Sequence, residues 1–205
     1  MGLFSFINKG KMYRTIILGM ILLWFRPTLT SAQYGTEIDR IVDNGFDIVT
    51  GDENQRDTIN LSAIISGEDK TSFFLDQYGD TINHKALKGK VLLLDFWFLD
   101  CKPCVAEITG FDLISSKFKG KPFKVLSFCL DEYDELNDKL LSKRNFKFSI
   151  ISDARLIGKI VYPLKILLDK RGVVRDIKNS GSIAPRAHYD LRDGFSPIIK
   201  KWLYK

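Results

Sequence analysis

The sequence predicts an α/β fold with a central mixed sheet, helices on both faces and an added N-terminal β-hairpin. Three observations carry that expectation. An apolar run of strand length, Val91–Trp97, leads through Phe98, Leu99 and Asp100 into Cys101 and Cys104, after which apolar residues recur at helical spacing (Ile108, Phe111, Leu113, Ile114, Phe118). Strand and helix patterns then alternate, which calls for parallel strands joined by right-handed crossovers. The chain finally turns to a strand–turn–strand and a last amphipathic helix, which makes the sheet mixed.

In chain order, residues 1–32 have the layout of a secretory leader. Lys9, Lys11 and Arg14 precede an apolar stretch over residues 15–25, and the small residues Thr30 and Ala32 suit cleavage before Gln33. The apolar stretch is about half the ~20 residues a spanning helix needs, so cleavage is expected over an uncleaved N-terminal membrane anchor. Residues 33–70 are polar with short apolar clusters and read as an extended arm of unreadable role, with one or two strands. The remaining residues, 71–205, form the predicted domain.

Within it, residues 71–82 read as a hairpin with Gly79 at the positive-φ position of its turn. A second turn, residues 88–90, feeds the strand at Val91–Trp97. The helix after Cys104 ends at Gly120, and Pro122 prevents its resumption. Residues 123–130 are a second buried strand, and residues 131–145 an amphipathic helix with acids at its start and bases at its end. Residues 146–151 form a third strand, and Asp153 is placed to cap a short helix running to Val161. Residues 164–168 and 173–177 are strands joined by the turn Asp169-Lys170-Arg171-Gly172. Ser196-Pro197 reads as the N-cap and first residue of a terminal helix presenting Ile198, Ile199, Trp202 and Leu203.

Composition excludes several classes. With 45% hydrophobic and 27% charged residues the chain is an ordinary globular sequence. Without Lys9, Lys11, Arg14 and Arg26 the formal charge of +6 falls to +2, which removes the main electrostatic case for a nucleic-acid partner. The Cys-x-x-Cys pair argues for redox over metal: a closed zinc site needs four ligands, and outside the pair the chain offers Cys129, His84 and His188. No metal and no cofactor beyond the Cys101–Cys104 pair are therefore expected. Cys129, in an apolar strand, reads as a buried inert thiol.

Four separated features, Gly89-Lys-Val-Leu-Leu-Leu-Asp-Phe-Trp97, Cys101-Lys-Pro-Cys-x-x-Glu107, Tyr162-Pro163 and the Leu168–Gly172 turn, occur in the order of one family. Over roughly residues 72–205 the chain resembles the TlpA/ResA-like branch of the thioredoxin superfamily, with its redoxin (AhpC/TSA-like) domain. That resemblance implies a thioredoxin-like fold and an exported, periplasmic thiol–disulfide oxidoreductase with a redox-active Cys101–Cys104 disulfide and a role in cell redox homeostasis. It implies disulfide-bearing clients, apocytochromes c in cytochrome c biogenesis being one family precedent, and an upstream, membrane-bound thiol reductant. It also implies a cis bond before Pro163. Two positions depart from the family pattern: Asp100 stands where Trp is usual, and Asp95 stands where this branch often has Asn, resembling the buried Asp of thioredoxin proper.

By this reading Cys101 is an exposed attacking thiolate. A free thiol of pKa ~8.5 is activated by a helix N-terminus and a neighbouring cation. Lys102 and Asp100 flank it with opposite charges that roughly cancel, so the helix N-terminus is the main activator and a reductant rather than a strong oxidant is expected. Cys104 is the resolving thiol and must lose a proton as it attacks. Asp95, on the feeding strand, and Glu107, one helical turn on, are both candidate bases, and the residues do not rank them. Pro103 stiffens the link between the sulfurs at a helix position that needs no donor. Tyr162, Pro163 and Trp97 are assigned to the substrate side, with plain core packing the alternative for Trp97. Two other functions compete with this one. A peroxiredoxin-like peroxide reductase would want a Thr where Phe98 stands, and an interaction module with secondary redox activity would use the 33–70 arm.

Overall fold

The computed structural model describes residues 38–50 and 57–205. The leader and its cleavage point lie outside the described residues. Among those described, no helix is long and apolar enough to cross a membrane.

The centre of the fold is β5 (Val91–Trp97), buried at every residue. It pairs in parallel with β6 (Phe123–Cys129), which pairs in parallel with β7 (Ser149–Ile151). On its other side it pairs antiparallel with β9 (Leu164–Leu168), and β9 with β10 (Val174–Lys178). The order β10-β9-β5-β6-β7 is a mixed five-stranded sheet, as predicted. Side chains alternate faces along a strand. Val91, Leu93 and Trp97 share a core cluster with Ile108, Phe111 and Ile114 of α3 (Lys102–Lys117) and with Leu191, Phe195 and Ile199 of α5 (Ala187–Leu203). Each such side chain, fully buried, contributes about 1.5–3 kcal/mol. On the opposite face Phe96 stacks on Phe128, and Phe74 meets Phe128 edge-on. Phe74 comes from the predicted hairpin, β3 (Phe74–Leu75) with β4 (Thr81–Ile82), whose Gly79 has φ 77°.

Four expectations are corrected. Asp153 caps no helix: it has φ 50° and turns the chain into β8 (Ala154–Leu156). The cause is non-local. Strand β1 (Asp47–Thr50) offers β8 an antiparallel partner and pairs on its other side with β2 (Asp57–Asn60), so a second, three-stranded sheet forms. The helix expected over 131–145 is α4 (Tyr133–Lys139) followed by a 3₁₀ turn, Leu141–Lys143; of α4 only Leu136 is buried, too little to hold a longer helix. The terminal helix begins at Ala187 rather than Ser196, and Pro197 lies inside it, because Leu191 and Phe195, both ahead of Ser196, already pack on the core.

The fourth concerns residues 33–70. Those of its residues that are described do not extend away as an arm: besides β1 and β2, α1 (Leu61–Ser66) buries Leu61, Ile64 and Ile65, and the Ile64 carbonyl lies 2.8 Å from His84 Nδ1 in α2 (His84–Leu87).

Candidate active site

The site is built where β5 hands the chain to α3. Cys101 is the N-cap residue of α3 and is joined to Cys104 by a disulfide, with the Cα atoms 5.2 Å apart. Pro103 sits in the first turn, where its missing N–H leaves no helical bond unmade. The approach is fixed from β6's end: Asp131 accepts the Leu99 N–H at 2.6 Å and faces the Cys129 thiol at 3.3 Å. Sequence reasoning finds Asp131 only as a helix-dipole acid. Cys129 is fully buried and burial pushes its thiol up, well out of the reactive range.

Cys101 and Cys104 are each only 5% exposed in the disulfide state, so the expected exposed nucleophile is covered. Phe98 and Leu99, from the same approach segment, and Tyr162 pack against this cluster, and Phe98 meets Tyr162 edge-on at 5.4 Å. Asp100 and Lys102 are exposed on either side. The Tyr162–Pro163 bond is cis. Trp97 is corrected: at 1% exposure in the core cluster that holds both cysteines, it has no face to offer a client.

Behind the disulfide lie three buried ionisable groups. Asp95 is directly opposite Lys165 across the β5–β9 ladder, so their side chains share a face. Lys165 Nζ is 2.5 Å from Glu107 Oε2 on α3. Asp95 accepts a hydrogen bond from Ser127 Oγ at 3.0 Å. Burial pushes the Asp95 carboxyl up to about 7, with Lys165 and the Ser127 hydroxyl opposing that rise and the Glu107 charge adding to it. Glu107 has both oxygens committed, Oε2 to Lys165 and Oε1 to the Ser182 N–H at 3.2 Å. Lys165 is the functional residue that sequence reasoning missed. Its signal was present: a lysine inside Leu164-Lys-Ile-Leu-Leu168, two residues after the proline, is a charge in an otherwise apolar strand.

A disulfide at a helix mouth, a cis-proline just before the neighbouring strand and buried acids beneath them define a thioredoxin-fold thiol–disulfide oxidoreductase. Residues 66–177 match the model of the AhpC/TSA family, more than half of the chain, and the chain belongs to that family. The thiol–disulfide oxidoreductase ResA of Bacillus thuringiensis subsp. konkukian is 30% identical over 119 residues, covering 55% of this chain and 69% of that protein. ResA of Halalkalibacterium halodurans is 24% identical over 122 residues, covering 57% and 69%. A solution structure from Neisseria meningitidis, described as a thioredoxin, superposes with a TM-score of 0.51 at 25% identity, covering 64% of this chain and 87% of that one. The ResA/TlpA-like resemblance read from four short motifs is thereby shown.

Proposed function

We propose that this is an extracytoplasmic enzyme that reduces disulfides in client proteins, with Asp95 as the proton acceptor for Cys104. In the reduced state the Cys101 thiolate attacks a client disulfide, forms a mixed disulfide and releases one client thiolate. The Cys104 thiol passes its proton to the Asp95 carboxylate, and the resulting thiolate attacks Cys101 Sγ. That closes the Cys101–Cys104 disulfide and releases the second client thiolate. Two electrons have moved from the dithiol to the client. An upstream thiol reductant returns the enzyme to its dithiol form, so the chemistry calls for no cofactor beyond the two sulfurs.

The observation that carries the reading is the Cys101–Cys104 disulfide at the N-terminus of α3, flanked by cis-Pro163 and backed by buried Asp95. Asp95 is preferred to Glu107 because both Glu107 oxygens are engaged, whereas an acid near 7 is matched to proton exchange at neutral pH. The leader-like N-terminal sequence supports an extracytoplasmic setting. Cys104→Ser should accumulate clients trapped on Cys101, detected as bands that collapse on reduction. No trapped clients, together with no disulfide reduction by the wild-type protein, would defeat the proposal.

A further inference from the structure

The segment Ser180-Gly181-Ser182, just after β10, is gripped on both sides by the Glu107–Lys165 pair. Lys165 Nζ donates to the Ser180 carbonyl at 2.8 Å, and the Ser182 N–H donates to Glu107 Oε1. Between these two tethers Gly181 meets both prolines of the site. A Cβ placed on it would lie 2.7 Å from Pro163 Cγ and 2.9 Å from Pro103 Cβ. The glycine is required there by space, not by its backbone angle. The next residue, Ile183, is 74% exposed and extends an apolar side chain beside this rim. A cavity of about 160 Å³ lies behind the strap, lined by Glu107, Lys165, Lys178, Ser180, Asp190 and Phe195, with room for several waters at the ion pair.

We propose that Glu107 and Lys165 are positioning residues that hold the Ser180–Ser182 strap against Pro103 and Pro163, and so fix the rim on which a client polypeptide docks. This rests on the oxidoreductase reading above. Both ends of the buried ion pair are spent on the strap, the cation on one of its backbone carbonyls and the anion on one of its backbone N–H groups. Among the described residues Lys165 is the one buried cation, and a charge is retained in such a place only when its partners satisfy it. The ionisable groups facing the pair are Asp95 from β5, Lys178 from β10 and Asp190 from α5; Cys129 of β6 also bears on Asp95.

The test compares Lys165→Met, Glu107→Gln and Gly181→Ala in the full-length protein, with a folded protein disulfide and a small aromatic disulfide as substrates. Lys165→Met and Glu107→Gln should each speed amide hydrogen exchange at Gly181–Ile183 by about tenfold or more, as expected when a charge-assisted tether is lost. All three variants should raise KM for the protein disulfide by roughly tenfold, and Gly181→Ala, which leaves the ion pair and Asp95 untouched, should change small-disulfide turnover by less than about threefold, because there the rim and not the sulfur chemistry is disturbed. Gly181→Ala leaves the ion pair intact and lies on the surface, so it answers the question if Lys165→Met fails to fold. The pH midpoint of small-disulfide reduction should move up in Lys165→Met, which loses a cation, and down in Glu107→Gln, which loses an anion. Unchanged exchange at Gly181–Ile183 in both ion-pair variants would overturn the proposal. So would loss of the pH-dependent limb in Glu107→Gln, which would make Glu107 the base. Wild-type protein inactive on both disulfides would instead defeat the oxidoreductase reading, while amide exchange would still report whether the strap is tethered.

Discussion

Asp95 carries a cost that its position makes measurable. Its carboxyl sits near 7 in the folded protein against an ordinary 3.8, so the folded state holds a proton that the unfolded chain releases earlier. Stability contributed at this residue is therefore greatest at low pH, falls as pH rises between about 4 and 7, and is level above that. Urea unfolding of the oxidised protein at pH 5 and pH 8 checks this. Asp95→Asn should gain on wild type by roughly 2–3 kcal/mol between the two pH values, since stability changes by about 1.4 kcal/mol for each pH unit over which the two states differ by one proton. Equal pH responses would show that Asp95 is ionised throughout. The same substitution should remove the limb near pH 7 from the rate of disulfide reduction. Both acids were legible in the sequence as candidates. Their ranking was not, because it depends on Lys165, which is 70 residues away from Asp95 in the chain and opposite it in the sheet.

At the scale of elements, the segments with strong local signals came out within a residue or two. Strands β5 and β9 span the expected residues, and the 71–82 hairpin and the turn at Gly172 stand where glycine and apolar alternation put them. The failures share a cause. At Asp153 a good local cap yielded to a distant strand partner, and at Ser196-Pro197 a good local start yielded to packing upstream. The second case leaves a trace: Pro197 cannot donate to the Asp193 carbonyl, and its side chain is exposed. Pro197→Ala should then stabilise the protein, by about 1–3 kcal/mol, as read from the denaturant midpoint. A lower midpoint would show that the ring supports a bend the terminal helix needs.

Over the whole molecule, the site is a meeting of remote pieces. The dithiol comes from residues 101–104, the cis-proline from 163, the strap from 180–182, and the approach loop is fixed by Asp131. Four motifs announced the first two. The strap carries no motif, because its requirement is the space between two prolines rather than a chemical group. Residues 57–70 were equally silent, yet Leu61 and Ile64 are fully buried, and Ile65 lies where a side chain at Gly172 would fall. A chain beginning at residue 71 should consequently unfold at lower denaturant and bind an apolar dye that the longer chain does not. Unchanged stability would mean that this layer is dispensable.

Electrons should flow from the Cys101–Cys104 dithiol to client disulfides, and equilibrium titration of the pair against glutathione decides that direction. The flanking Asp100 and Lys102 charges offset each other, leaving the α3 N-terminus to stabilise the Cys101 thiolate, so no strong oxidising bias is built in. The pair should have a potential in the range of thioredoxin, about −270 mV, where the dithiol donates electrons to client disulfides. A potential near about −120 mV, as in a strong oxidant, would contradict it.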